Sequence, residues 1–370
     1  MLFTIIIFFL ILGLLIFVHE FGHFIAAKRA GAKVEEFGLG LPPRIFGIKR
    51  GETIYSLNWL PIGGFCKILG EGGEKKNDPR SMASKSIGQR AKIFAAGVSM
   101  NFALAVVLLI IGYTIGLPSI IKDDQVGNVR DPKVQIVEVV KNSPAEKAGL
   151  KVGDAIVKVK SQKSKVKNIE SVESMQNFID GNKGEEVILG IKRGDEELEI
   201  AAVPRENFPE GQGPLGIGLA ETGIVSYPIH KAIWMGITST INLTITIIFL
   251  FGGLLWSLIS TGAGNIDVAG PVGIAVLTGQ VTQMGFIYVL QFTALISINL
   301  ALINIFPFPG LDGGHLLFLA IEKIKGRPVR REVLNTINNI GFILLMLLIL
   351  VVTFRDFVRF DVWEKLKGIF

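Results

Sequence analysis

The chain has 370 residues, 49% of them hydrophobic, with a mean hydropathy of +0.50. A soluble domain of this size rarely reaches that value, so the apolar residues are expected in long runs. The single cysteine, Cys66, excludes an internal disulfide and a thiolate metal site, and the net charge of +6, shared between loops and a soluble segment, suits membrane topology rather than a nucleic-acid partner.

In chain order, Leu2–Ala27 carries no charge before His19 and Glu20. It lacks the basic start and small-residue cleavage site of a signal peptide, and it is long enough to cross a bilayer core of about 30 Å. Lys28–Lys92 is polar and rich in Lys and Arg. Within it Val34–Phe37, Arg44–Ile48, Thr53–Asn58 and Phe65–Leu69 read as short strands, with Gly38, Gly40, Pro42-Pro43, Gly51 and Gly63-Gly64 at the turns. Ala95–Leu117 is a second membrane helix. Gln125–Arg205 is a soluble domain with strands at Val134–Val140, Ala155–Val159, Glu186–Ile191 and Glu197–Ala202 and a helix at Ser171–Asp180. Lys160–Lys167 reads as a solvated loop. Ile233–Ile259 is apolar but interrupted by Gly252-Gly253, Phe286–Phe306 is a third membrane helix, and Ile340–Thr353 is a fourth if Asn335–Asn339 joins it.

The chemistry concentrates in two places. His19-Glu20-Phe21-Gly22-His23 reads H-E-x-x-H. Positions i and i+4 share one helix face, so both imidazoles reach one zinc ion while Glu20 sits beside it as general base for water. Two histidines and a glutamate are costly in lipid unless they serve a site. Catalytic zinc takes three protein ligands, and the third is expected from the segment running Asn304-Ile305-Phe306-Pro307-Phe308-Pro309-Gly310-Leu311-Asp312-Gly313-Gly314-His315. There Pro307 and Pro309 break a membrane helix, and Gly313-Gly314 permit close backbone approach. Broken backbone at membrane depth is tolerated only where it lines a site or cavity, so Asp312 reads as the delivered carboxylate. His315 reads as a supporting or packing residue. A metal transporter would carry internal repeats and several mid-membrane carboxylates, and neither is present. A scaffold with a degenerate site would have no use for Glu20.

The paired motifs, and the domain between them, resemble the site-2 protease family of intramembrane zinc metalloproteases, in its bacterial regulator of sigma-E protease type, over nearly the whole chain. The resemblance implies zinc ligation by His19, His23 and Asp312, with Glu20 catalytic. It implies that Gly97-Val98-Ser99-Met100-Asn101 matches the family's G-x-x-x-N, which puts Asn101 near the substrate. Asn304 then helps hold the substrate strand or the developing oxyanion. Gln125–Arg205 is similar to a PDZ domain through Asn142-Ser143-Pro144-Ala145 and Ala148-Gly149-Leu150-Lys151-Val152-Gly153-Asp154, and Gly213–Leu219 is a candidate to complete it. The hairpin Thr53–Leu69, turning at Gly63-Gly64, can offer an edge strand to an unwound substrate. Gly63, Gly64 and Phe65 are therefore candidate substrate-binding residues, and family members carry a membrane-associated sheet at this point.

The expected protein is a polytopic α-helical membrane protein of about four transmembrane helices, with a membrane-associated β-sheet or hairpin and one inserted PDZ-like α+β domain. In order, 1–28 is the first membrane helix, 29–94 a cytoplasmic-side loop with β-strands, 95–117 the second helix and 125–220 the PDZ-like domain outside the cell. Residues 228–284 form an interfacial or re-entrant segment, 285–318 the third helix, 319–335 a cytoplasmic loop, 336–354 the fourth helix and 355–370 a tail. Basic residues after the first helix, and Lys323, Lys325, Arg327, Arg330 and Arg331 after the third, mark one cytoplasmic side. Asp312 can then meet His19 only if Ile233–Ile259 does not cross once: it must cross twice, lie in the interface, or dip in and return at Gly252-Gly253, and a re-entrant or interfacial segment is the preferred reading. The family resemblance implies a bacterial inner-membrane enzyme in contact with the lipid bilayer. Its implied substrates are single-span membrane proteins, anti-sigma-factor-like or signal-peptide remnants, already cut in their external part.

Overall fold

The computed structural model describes residues 2–121, 128–161, 164–194, 196–209, 212–261 and 270–359. Gln125, part of the Lys160–Lys167 loop, the stretch 262–269 and the tail beyond 359 lie outside the described residues. The chain begins α1 (Leu2–Arg29), β1 (Val34–Arg50), β2 (Thr53–Ile68), α2 (Ile87–Ile115), β3 (Leu117–Ile120) and β4 (Asn128–Val139). It continues α3 (Pro144–Ala148), β5 (Ala155–Ser161), β6 (Ser164–Asn168), α4 (Val172–Asp180), β7 (Val187–Arg193), β8 (Glu196–Ala202) and β9 (Ile217–Ser226). Five helices close it: α5 (Ile229–Thr261), α6 (Pro271–Met284), α7 (Phe286–Ile305), α8 (Asp312–Lys325) and α9 (Arg331–Arg359). Two units are distinguished, one made of residues 1–110 and 233–370 and the other of residues 111–232.

In the first unit, α1 buries Ile11, Leu15, His19, His23 and Ala27, one every four residues. α2 does the same with Ile93, Gly97, Asn101, Ala105 and Leu109. These are i±4 ridges of the kind that interlock between helices. The opposite face of α1 leaves Phe3, Ile6, Leu10, Leu14 and Phe17 exposed, an apolar surface that suits lipid rather than water. Among the described residues five helices are long and apolar enough to cross a membrane: Phe3–Arg29, Ile87–Ile115, Ile229–Leu254, Phe286–Ile305 and Arg331–Arg359. α2 begins eight residues before the expected Ala95, and α9 absorbs Asn335–Asn339.

The expected re-entrant turn at Gly252-Gly253 is absent, because α5 runs unbroken through both glycines. Glycine weakens a helix by about 1 kcal/mol relative to alanine, less than the cost of leaving backbone groups unpaired in an apolar medium. A short helix, α6, follows it. At 14 residues it is about 21 Å long and too short to span. A Cβ on its Gly279 would lie 3.0 Å from Thr4, near the end of α1 that is remote from His19. Its N-terminus packs on Val352 near the end of α9, and the buried Asp356 accepts the Gly273 amide at 2.6 Å. The chain is thus at the Thr4 end of α1 when α7 starts, and the 20 residues of α7 return it to the level of His19.

β1 and β2 each contain two of the four expected strands. Gly38 pairs with Phe65 on one side and Ser56 on the other, while Gly47 also pairs with Ser56. The ladder therefore runs Gly64–Ile68, Val34–Leu39, Thr53–Asn58 and Arg44–Arg50, and among the described residues Gly64–Ile68 is paired on one side only, with β1.

The second unit is a seven-stranded sheet in the order β3-β9-β4-β5-β7-β8, with β6 added to β5. Val134, Ile136, Ile156, Met175, Leu189, Ile191 and Leu215 fill its core against α3 and α4. Asn142-Ser143-Pro144-Ala145 is a helix start, with the Ser143 side chain accepting the Glu146 amide and Pro144 in the first turn. Asp154 accepts the Lys151 amide at 2.8 Å and pairs with Arg193 at 2.7 Å, so it is a turn residue. The Lys160–Lys167 stretch is corrected from loop to hairpin, because β5 extends to Ser161 and pairs with β6. β9 is longer than the expected Gly213–Leu219 completion of the domain.

Candidate metal centre and cleft

α1 and α2 can approach closely because two glycines face each other's helix. A Cβ on Gly22 would strike the Ala96 carbonyl, and one on Gly97 would strike the His23 imidazole and lie 2.8 Å from His19 Cε1. The two imidazoles occupy the space thus left. His23 Nδ1 lies 2.9 Å from the Ile93 carbonyl, and His19 Nδ1 lies 3.2 Å from the Asn101 carboxamide. Ile93, Gly97 and Asn101 stand one turn apart on α2 and match His23 and His19 one turn apart on α1. Both rings are therefore gripped at Nδ1 and present Nε2.

α7 ends at Ile305, and Pro307 and Pro309 prevent it from continuing. The break is tightly folded: Phe308 donates to the Phe306 carbonyl at 2.7 Å and Leu311 to the Phe308 carbonyl at 3.2 Å. Glycine is required here because a Cβ on Gly313 would collide with the Ile305 and Phe306 carbonyls, one on Gly314 with the Phe308 carbonyl, and one on Gly341 of α9 with the Pro309 carbonyl. The segment 285–318 is thus two helices parted at the expected proline break, and Asp312 opens the second.

Asp312 Oδ2 lies 3.2 Å from His19 Nε2 and 3.3 Å from His23 Nε2, and the two Nε2 atoms are 3.2 Å apart. Four ligands about 2.0 Å from zinc define a tetrahedron with edges of about 3.3 Å. The triangle fits one face of it. His19 and His23 are each 8% exposed, and Asp312 Oδ2 is buried with no hydrogen-bond partner among the described residues, as suits an oxygen reserved for a cation. These are the only three such groups brought together among the described residues.

The triangle opens on a cleft of about 460 Å³ that Glu20, Gly64, Phe65, Cys66, Asn304 and Leu311 also line. The Cys66 backbone amide bonds the Glu20 carboxylate, and Gly64 lets β2 lie against α1, since a Cβ there would be 2.8 Å from Ile16 and 3.4 Å from Glu20. Gly63 does not line the cleft; its positive φ of 105° serves the turn, and it faces Leu41. Asn101 does not line it either, being fully buried behind His19. His315 stacks on Phe94 at 4.5 Å and 3°, a packing role. Burial raises the Cys66 thiol above its ordinary pKa. Of the two Nδ1 partners, Asn101 was signalled by the G-x-x-x-N motif, whereas the Ile93 carbonyl, a backbone group, had no signal in the sequence.

The profile of Peptidase family M50 matches residues 7–348. The chain belongs to this family. This M50 peptidase is 35% identical to a Clostridium acetobutylicum protein provisionally named a zinc metalloprotease, over 96% of this chain and 98% of that one. It is 31% identical to the regulator of sigma-W protease RasP of Bacillus subtilis and to zinc metalloprotease RasP of Geobacillus kaustophilus, over 96% of this chain and 98% of each. Residues covering 25% of the chain are similar to 92% of the PDZ domain of an SdrC-like protein from Listeria monocytogenes, at 22% identity and a TM-score of 0.21. The M50 peptidase is a multi-pass membrane zinc metalloprotease.

A Gly97→Ala variant tests the close approach. Alanine favours helix by about 1 kcal/mol, yet it intrudes on both imidazoles. Zinc content is expected to fall at least tenfold with helix content unchanged; full zinc loading would contradict the packing described.

Proposed function

We propose that the cleft cuts the membrane segments of single-span proteins, anti-sigma-factor-like proteins or signal-peptide remnants, after another protease has trimmed their external part. The observation that carries this reading is the one-sided strand Gly64–Ile68, which borders the same cleft as Glu20 and the His19, His23 and Asp312 triangle. A spanning substrate keeps its scissile carbonyl in helical hydrogen bonds, and lipid offers no replacement. Unwinding it exposes backbone groups at several kcal/mol each. Pairing with a strand edge offsets that cost. The name of the Bacillus subtilis relative supports a regulatory substrate.

His19, His23 and Asp312 hold the metal, and zinc there supplies Lewis-acid polarisation of the scissile carbonyl and an acidified water. Glu20, positioned by the Cys66 amide, takes the proton from the attacking water and passes it to the leaving nitrogen. Asn304, on the cleft wall, donates its carboxamide N–H to the carbonyl oxygen as charge develops. Lys28 and Arg29 at the end of α1 and Lys323 and Lys325 at the end of α8 support a cytoplasmic assignment for that side. The PDZ-like module then stands outside and excludes substrates whose external parts are still bulky.

Two experiments test this. Glu20→Gln is expected to abolish cleavage and keep one zinc per chain, whereas Asp312→Ala loses both; full activity in Glu20→Gln would sink the mechanism. Excising residues 117–226 behind a short linker is expected to keep zinc and to permit cleavage of a long-ectodomain substrate that the intact enzyme spares. If a folded, zinc-loaded deletion fails on an already trimmed substrate, capture rather than exclusion is the module's role.

A further inference from the structure

The two imidazoles of the metal triangle are held differently, and the difference bears on whether zinc can bind. A histidine that ligates through Nε2 carries its proton on Nδ1 and donates it to an acceptor. His23 meets this condition, since its Nδ1 faces the Ile93 carbonyl at 2.9 Å. The partner of His19 Nδ1 is the Asn101 carboxamide at 3.2 Å, presenting its nitrogen. An N–H donated to Nδ1 would put the ring proton on Nε2, the atom 3.2 Å from Asp312 Oδ2. That tautomer cannot ligate through Nε2. Meanwhile Asn101 Oδ1 is buried without a hydrogen-bond partner among the described residues. The two ends of a carboxamide are isosteric, so turning it over gives Oδ1 the His19 Nδ1–H and frees Nε2. The backbone cannot drift away to avoid this pairing. Ser297 of α7 donates to the Asn101 carbonyl at 2.8 Å, and the residue is 0% exposed.

We infer that Asn101 is a positioning residue for zinc, not a substrate contact: its side-chain oxygen accepts the His19 Nδ1 proton and so selects the tautomer that binds metal. This rests on the metal reading of the triangle given above. The substrate role implied by the G-x-x-x-N motif would require Asn101 to face the cleft, and it does not.

The test is zinc affinity of the full-length protein in detergent, measured by competition with a chelator, for the wild type, Asn101→Leu and Asn101→Asp. Leucine matches the size of asparagine and accepts nothing, so affinity is expected to fall about ten- to a hundredfold. Aspartate accepts the same proton and is expected to stay within about threefold of wild type, a rescue that a merely space-filling role would not produce. Helix content by circular dichroism is followed for all three. Equal affinity in Asn101→Leu and wild type would overturn the inference while leaving the metal site intact. Equal loss in the leucine and aspartate variants would also overturn it. A wild type that binds no zinc at all would overturn the metal reading itself, and with it the inference.

Discussion

The distance between α1 and α2 at Gly22 and Gly97 sets the conditions for everything else in the site. With any larger side chain at either position, the helices would separate by at least the width of a methyl group. The imidazoles of His19 and His23 would then lose the Ile93 carbonyl and the Asn101 side chain that orient them. The same economy recurs where Asp312 enters, at Gly313, Gly314 and Gly341, each pressed against a carbonyl. In a medium as apolar as the side chains themselves, helices gain little from hydrophobic burial against one another. Close packing of small residues and buried hydrogen bonds take its place. The Ser297 bond to the Asn101 carbonyl, at 2.8 Å, is of that kind and joins α7 to α2 behind the histidines.

The strand at Gly64–Ile68 belongs to the same arrangement. A β-edge is ordinarily a liability, since its unpaired amides and carbonyls invite association. Here it borders a cleft that Asn304, Gly310 and Leu311 also line, and its Cys66 amide is already engaged by the Glu20 carboxylate. A substrate strand laid along it would have its backbone satisfied on one side and face Glu20 and the metal ligands.

Much of this was legible in the residues. H-E-x-x-H put two imidazoles and a carboxylate beside one cleft through helical spacing, and the Pro307–Pro309 break marked where Asp312 joins them. All four short strands between the first two helices appear in the paired ladder. Misreadings arose where a local signal was outweighed by its surroundings. Gly252-Gly253 looked like a turn but sits inside a long apolar run, where an apolar medium favours unbroken helical hydrogen bonds. The charge of Lys160–Lys167 masked strand pairing, since a hairpin at a sheet edge can be entirely polar on its exposed face. α6 was missed because 14 residues of mixed apolar and small character resemble a linker. It is recognisable as a helix only through Asp356 and Thr4, which are distant in sequence. Asn101 shows a related limit: a motif reports proximity to a site but not the face on which the side chain lies, and here it faces His19 rather than the cleft.

The central claim is that two Nε2 atoms and one Asp312 oxygen hold zinc. X-ray absorption at the zinc edge on the purified full-length protein measures this directly. The expected spectrum has four light-atom ligands at about 2.0 Å, two of them showing the outer-shell scattering of imidazole. Imidazole scattering from three ligands, a sulfur shell at about 2.3 Å, or six-fold coordination would contradict it.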